Sequence, residues 1–369
     1  MNLTRWIGGL TGDPKLCEVV MPGSHDAGVY GDKDVAVVNH AVGDPTFTTS
    51  TTLKKTLIPT THTRLCMATW AKCQSTNLAG QALYGSRFFD LRIYVKQRTF
   101  WGKKDLKAGH FTFFEGTKHI EPSMGGYGGS LISLINDAVN FVTTYTSEFL
   151  ILRFSHVKNH KLVRDGIEAQ LTAMNAFNNH RVYDGGNANL GDQKVSDLAG
   201  KVIMVFDTQF DPVRTGSYAY WMVPWNKLGP NSPTGTQVHG LRTCGSFSKS
   251  DKIAAVKAGQ IAAIDTHITH LGSTDPRHLS FVYWQQTGEV PGKLNVKETT
   301  TKTNKSAHSE LGDFVTVLCR TWGAAGGDRQ KPPANIISHD FVKPDTCERI
   351  IKMNPDYWDA SVTNAMDEG

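Results

Sequence analysis

No apolar stretch in the 369 residues approaches the 18 or more that a membrane-spanning helix needs; runs such as 202–206 (VIMVF) have the length of a buried strand. No Gly-x-x-x-x-Gly-Lys-Ser/Thr loop is present, so ATP-driven chemistry of the P-loop type has no support. The six cysteines, at 17, 66, 73, 244, 319 and 347, form no Cys-x-x-Cys pair and match no zinc spacing. They read as buried free thiols, with a Cys66–Cys73 bridge as the alternative. Charged residues are only 20%, and the net charge of +5 is weak and spread out. That is too weak and diffuse to suggest a nucleic-acid partner, and none is expected; it suits an anionic membrane surface. The opening MNLTRWIGGLTGDPKL lacks the apolar centre of a secretory leader. The expectation is therefore either a cytoplasmic protein or a secreted one whose leader has been removed.

The hydrophobic set makes up 39% of the chain, an ordinary globular share. Strand-like runs fall at 17–21, 87–95, 107–114, 149–156, 201–207, 280–285 and 334–340, and helix-like ones at 70–84, 130–145, 161–177, 250–264, 306–322 and 344–353. Leu131, Leu134, Ile135, Ala138, Phe141 and Val142 recur at helical spacing. Short buried strands alternating with helices predict a parallel α/β fold. No repeat and no linker divides the chain, so residues 1–369 read as one barrel-sized unit. The polar stretches 31–62, 183–198 and 288–308 are expected as long loop insertions. The fold class is a single (β/α)8 TIM-like barrel, with an eighth strand that is hard to place and closure that is irregular.

Chemistry-bearing residues gather where such strands end. Met21-Pro22-Gly23-Ser24-His25-Asp26-Ala27-Gly28 follows the first strand, and Gly23 and Gly28 are expected to bracket a sharp turn presenting His25 and Asp26. In Arg87-Phe88-Phe89-Asp90-Leu91-Arg92, alternation places Asp90 and Arg92 on one face and Phe89 and Leu91 on the other. An acid and a base on one face of a central strand are either an internal ion pair or a site for an anion. His110 lies in the next strand-like run, and Asp340 ends the last, with a helix cap as its structural alternative. Two histidines, several aspartates and one arginine suit phosphoryl transfer. One His takes a proton from a hydroxyl, the other protonates the leaving group, and Arg holds the phosphate oxygens.

These segments resemble the X domain of phosphatidylinositol-specific phospholipases C. The resemblance rests on MPGSHDAGVY and on Trp70, Lys72, Gln74, Gln81, Gly85, Arg87, Phe89, Asp90 and Arg92, and extends through LINDAVNFVTTYTSEFLILRFSH. It is strongest over 17–156 and returns at IISHDF. It implies a distorted barrel and cleavage of phosphatidylinositol, or of glycosylphosphatidylinositol anchors, to diacylglycerol and inositol 1,2-cyclic phosphate. His25 would be the general base on the inositol 2-hydroxyl, oriented by Asp340. His110 would be the general acid, helped by Asp26, and Arg92 would stabilise the phosphorane. Asp90, Arg153 and Asp207 would contact substrate, with a helix cap as the equal alternative for Asp207.

Arg92 stands where a calcium site needs a carboxylate, so the resemblance points to the bacterial, metal-independent branch with no cofactor, and calcium is the alternative. The expected partners are phospholipid and, transiently, a membrane surface; the chain is expected to act as a monomer. His119 competes with His110, because Phe111 follows His110 where the family usually has glycine. Ser155 stands where the family carries a charged residue, and Arg153 on the same face is the expected compensation. The aromatic run 218–225 (YAYWMVPW), with Phe100 and Trp101, is either a lipid-facing rim or a loop folded onto the barrel. The rival readings are a barrel phosphodiesterase of the glycerophosphodiester or sphingomyelin type and an inactive phosphoinositide-binding domain.

Overall fold

The computed structural model describes residues 1–30, 36–38, 72–97, 104–112, 124–155, 157, 160–185, 188–207, 218–222, 236–238, 241–246, 250, 252–271, 279–285, 310–311, 314–315, 318 and 332–357. Strand β1 (Met21–Ser24) lies between β12 (Ile336–His339) and β3 (Phe88–Gln97) and runs parallel to both. From β3 the sheet continues in parallel through β6 (Leu150–Ser155) and β7 (Val202–Asp207) to β8 (Ala219–Met222). From β12 it continues through β11 (Leu279–Trp284) to β10 (Leu241–Ser246). These eight strands curl into a barrel wall. Between β8 and β10 no ladder joins the edges among the described residues, so closure is irregular there.

The first strand sits later than its apolar run suggests. Leu16–Glu18 is a 3-10 turn, and Met-Pro-Gly-Ser forms β1, which brings His25 directly onto the strand's C-terminal end. The described part of the run 107–114, residues 107–112, is no barrel strand. It belongs to β4 (Lys104–Thr112), which is antiparallel to β3 and pairs with β5 (Met124–Ser130), itself paired with β2 (Ala36–Val38). β9 (Thr236–Val238) forms a second antiparallel flap on β10. The aromatic run supplies β8, and Tyr218, Ala219 and Tyr220 are buried, which overturns the lipid-rim reading for them. Phe100, Trp101 and 223–225 lie outside the described residues, as do Trp70, most of 31–62 and all of 288–308. The stretch 183–198 is more than a surface loop: Leu190, Val195 and Leu198 are buried beneath the barrel.

Helices α1 (Leu78–Leu83), α2 (Leu131–Thr144), α3 (His160–Ala173), α4 (Val195–Leu198), α5 (Ile253–Leu271) and α6 (Pro344–Ile351) accompany the strands. Ser130 caps α2 by accepting from the Ser133 N–H at 3.1 Å, and Pro344 suits the first turn of α6, where no N–H partner is needed. The predicted stripe Leu131, Leu134, Ile135, Ala138 and Val142 of α2 packs on Phe89, Leu91, Leu152 and Met204 of the wall. The opposite side chains turn inward, and Phe88, Ile151, Ile203, Val205, Tyr220, Phe281 and Ile336 fill the lower barrel together with Trp6 and Leu16.

Below that core, the Arg87 guanidinium donates to Glu148 from Nε at 2.9 Å and from Nη2 at 2.5 Å. It also donates to the carbonyls of Ala82 and Thr4, and the Ile7 and Gly8 N–H groups donate to Glu148. Arg87 is thus the structural arginine of its motif, tying the N-terminal segment across the barrel floor.

Candidate active site

Each inward-facing row changes from apolar to polar toward the strand's C-terminal end: Phe88, Asp90, Arg92; Ile151, Arg153, Ser155; Val205, Asp207; Phe281, Tyr283; Ile336, Ser338. Because the strands are parallel, their polar ends meet on one rim, where such barrels place chemistry. β1 and β12 deliver His25 and Asp340 to the same rim, since Ser24 is in register with His339.

His25 Nδ1 lies 2.7 Å from Asp340 Oδ1. Its Nε2 lies 2.6 Å from Arg92 Nη2. A guanidinium only donates, so Nε2 carries the lone pair and Nδ1–H points to the carboxylate. This is the tautomer of a base ready to accept a proton. Arg92 is fixed in turn by its Nε, 2.6 Å from Asp26 Oδ1 and 3.3 Å from Asp90 Oδ2. Asp26 Oδ2 is 3.4 Å from His25 Nε2. Burial works against a charged His25 imidazole, but Asp26 and Asp340 outweigh both burial and Arg92 and raise its proton affinity. Burial likewise disfavours ionised Asp90, yet Arg92 and Arg153 hold its carboxyl below the ordinary range.

Deeper in the barrel, Arg153 donates to Asp207 Oδ1 from Nη2 at 2.9 Å and to the Tyr283 hydroxyl from Nη1 at 3.0 Å. Ser155 donates to Asp90 Oδ1 at 2.6 Å. Burial pushes Asp207 up to about 6, against the pull of Arg153. Asp207 Oδ2 is buried and has no hydrogen-bond partner among the described residues. Asp90, Arg153 and Asp207 therefore form one connected layer beneath His25, with Ser155 bonded into it.

The turn is built differently from its sequence signature. Gly23 and Gly28 are needed for close packing: a Cβ on Gly28 would lie 2.3 Å from Ala108 Cβ, and one on Gly23 would lie 3.1 Å from Ser338 Cα. The unusual backbone is at Asp26, with φ of 43°, a conformation rare for non-glycine residues and a form of strain often found at functional sites. Two buried glutamines hold this turn. Gln74 Nε2 donates to the carbonyls of His25 (2.7 Å) and His339 (3.3 Å), and its Oε1 accepts from the Val342 N–H (2.9 Å). Gln81 Nε2 donates to the Ala27 carbonyl at 2.9 Å, and its Oε1 accepts from Ser24 Oγ at 2.5 Å. Both glutamines stand in the sequence motif, but nothing in the motif says that Gln74 clips the ends of β1 and β12 together while Gln81 holds the turn after β1.

Asp340 does not cap the final helix; Lys343 precedes α6 instead. Asp26 partners Arg92 and His25. His110 lies on β4 opposite Gly126, two residues beyond Ala108, whose partner Ile93 directly follows Arg92. His119 lies outside the described residues. Cys17, Cys73 and Cys347 are free thiols, so Cys73 is not bridged to Cys66. Cys73 Sγ donates to Asp26 Oδ2 at 3.6 Å.

Among the described residues, two groups of side chains have the composition to hold a cation: His25, Asp26 and Asp90, and His25, Cys73 and Asp340. In the first, the Arg92 guanidinium already lies between the two carboxylates and supplies the positive charge. No helix of the described residues is long and apolar enough to cross a membrane.

No family model matches the chain. No curated protein matches it. Solved structures do. The phosphatidylinositol-specific phospholipase C from Listeria monocytogenes superposes with a TM-score of 0.54 at 15% identity, covering 96% of this chain and 99% of that one. A mutant of the phosphatidylinositol-specific phospholipase C from Staphylococcus aureus gives 0.55 at 14%, with 96% and 98% covered. Another structure of the Staphylococcus aureus enzyme, solved in work on modulation of its membrane binding, gives 0.52 at 14%, again with 96% and 98% covered. With its parallel wall, its polar rim and these neighbours, the chain has the barrel fold of bacterial phosphatidylinositol-specific phospholipases C.

Proposed function

We propose that this protein is a metal-independent phospholipase C that cleaves phosphatidylinositol, or the inositol phosphodiester of glycosylphosphatidylinositol anchors, and releases diacylglycerol and inositol 1,2-cyclic phosphate. The observation that carries the reading is the chain Asp340–His25–Arg92–Asp26, with a lone pair on Nε2 and a guanidinium against it. A neutral imidazole adjacent to a fixed cation is what an internal hydroxyl attack on a phosphodiester requires. His25 Nε2 takes the proton of the inositol 2-hydroxyl, and Asp340 stabilises the imidazolium that forms. Arg92 Nη2 transfers its hydrogen bond from His25 to a non-bridging phosphate oxygen and offsets the charge of the phosphorane. Asp26 and Asp90 keep the guanidinium in place during that exchange.

The nucleophile belongs to the substrate, so no covalent enzyme intermediate is needed; positioning and two proton carriers suffice. His110 is assigned the second proton transfer, to the departing diacylglycerol oxygen, on the strength of its place on the ribbon beside Arg92. The layer of Asp90, Arg153 and Asp207 offers both donors and acceptors to inositol hydroxyls. Metal independence is supported by the guanidinium between Asp26 and Asp90, where a second cation would be repelled. Contact with a membrane surface follows from the lipid substrate.

Phosphorus NMR of phosphatidylinositol vesicles incubated with the protein tests the proposal. A cyclic phosphodiester resonance that is absent with His25→Ala is expected. A phosphomonoester as first product assigns the protein to hydrolytic phosphodiesterases, and an unchanged spectrum makes it a binding domain; either result overturns the reading.

A further inference from the structure

A second side-chain group at the rim joins the proposed base and its aspartate to Cys73, which this mechanism does not use. His25, Cys73 and Asp340 each place one ligand atom within 4.8 Å of the others. They come from three separate segments: the end of β1, the loop before α1 and the end of β12. Thiolate, imidazole and carboxylate are a ligand set for zinc or cadmium, not for magnesium or calcium, which take oxygen ligands. Metal–ligand bonds of about 2.0–2.3 Å put neighbouring tetrahedral ligands about 3.5 Å apart, so the 2.7 Å contact of His25 Nδ1 with Asp340 Oδ1 opens slightly while the wider separations, all within 4.8 Å, close. The cysteine is held in place: its N–H donates to the Val29 carbonyl at 3.1 Å, and its carbonyl accepts from the Phe341 N–H at 2.8 Å.

We propose that His25, Cys73 and Asp340 form an inhibitory site for a thiophilic divalent cation, zinc or cadmium, with water as the fourth ligand. The ion takes the place of the proton shared by His25 Nδ1 and Asp340. The Cys73 thiol proton is released to solvent, and imidazole keeps its one proton on Nε2. Dication, thiolate, carboxylate and neutral imidazole sum to zero charge, which suits a buried position. Arg92 Nη2 then turns away from Nε2 while its Nε stays on Asp26. With Nδ1 on the metal and Nε2 protonated, His25 has no lone pair for a substrate hydroxyl. The inhibitory effect rests on the function proposed above; the binding does not.

The test is therefore a binding measurement on the full chain. Cadmium titration of the reduced protein is expected to give one equivalent of a cadmium–thiolate charge-transfer band, and zinc is expected to displace it. Cys73→Ser should abolish the band and weaken zinc binding, read by competition with a chromogenic chelator, by at least about 100-fold, the upper end of what loss of a mere outer partner causes. Cys17→Ser should change neither. Asp340→Asn, which keeps the thiol, should retain a cadmium–thiolate band at reduced affinity and provides the check if Cys73→Ser does not fold. A band that persists in Cys73→Ser, or an Asp340→Asn protein that binds as tightly as the parent, refutes the site. Metal binding without loss of phospholipase activity refutes the inhibition, and metal binding by a protein inactive on phosphatidylinositol sinks only the proposed function.

Discussion

Replacing Asp340 with asparagine isolates one charge in the proposed base. In Ser-His-Asp enzymes the equivalent change costs about 10⁴-fold, because the amide imposes the wrong imidazole tautomer. Here a second lock exists. Arg92 Nη2, 2.6 Å from Nε2, donates whatever residue 340 is, so Nε2 must still accept and Nδ1 must keep its proton. The asparagine therefore turns its oxygen toward Nδ1, and the tautomer survives. What disappears is the negative charge 2.7 Å from the ring that stabilises the imidazolium. The expected fall in kcat/KM is accordingly about 10²–10³-fold, or about 3–4 kcal/mol of barrier. The pH profile gives the sharper readout. Asp340 raises the His25 proton affinity through both its charge and its hydrogen bond, so removing the charge lowers it. A base works in its neutral form, and the acidic limb of kcat/KM therefore moves to lower pH in the variant. The assay is turnover on phosphatidylinositol vesicles across pH, with melting temperature expected to change little. A limb that moves to higher pH, or a loss below about threefold, would refute the two-lock argument.

Glu148→Gln should cost about 3–5 kcal/mol in denaturant unfolding, because it leaves the buried Arg87 guanidinium without its counter-ion. A loss below about 1 kcal/mol would show that the surrounding carbonyls alone hold Arg87. Gln74→Met strands the His25 carbonyl and the Val342 N–H and loosens β1 from β12; each stranded group costs about 1–3 kcal/mol. A drop in kcat beyond what the melting temperature explains, with a broadened acidic limb, is expected, and unchanged kinetics would remove Gln74 from the positioning of the base. Turnover should persist in excess EDTA; loss on chelation that calcium specifically restores would recast Asp26 and Asp90 as ligands.

His25, Asp26, Asp90, Arg92 and Asp340 were legible as candidates because each is a polar or charged side chain in, at the end of or just past an apolar strand-like run, where burial without use is costly. The inward and outward faces of β3 and the packing stripe of α2 were equally legible, since periods of 2 and 3.6 are properties of the local chain. Strand β5, MGGYGGS, was not, because glycines carry no periodicity to read. Nor was β8, whose aromatic residues suit a membrane rim as well as a barrel wall; only the ladder to β7 decides between them. The antiparallel placement of β4 also escaped the sequence, because strand direction is set by the partner and not by the strand. Asp340 and His25 are separated by 315 positions, and their meeting depends on the parallel register of β1 with β12. Residue types nominated the acid, the base and the cation. Which imidazole nitrogen accepts, and what fixes it there, is a matter of the 2.6 Å contact between Arg92 and His25 that only the curled wall brings about.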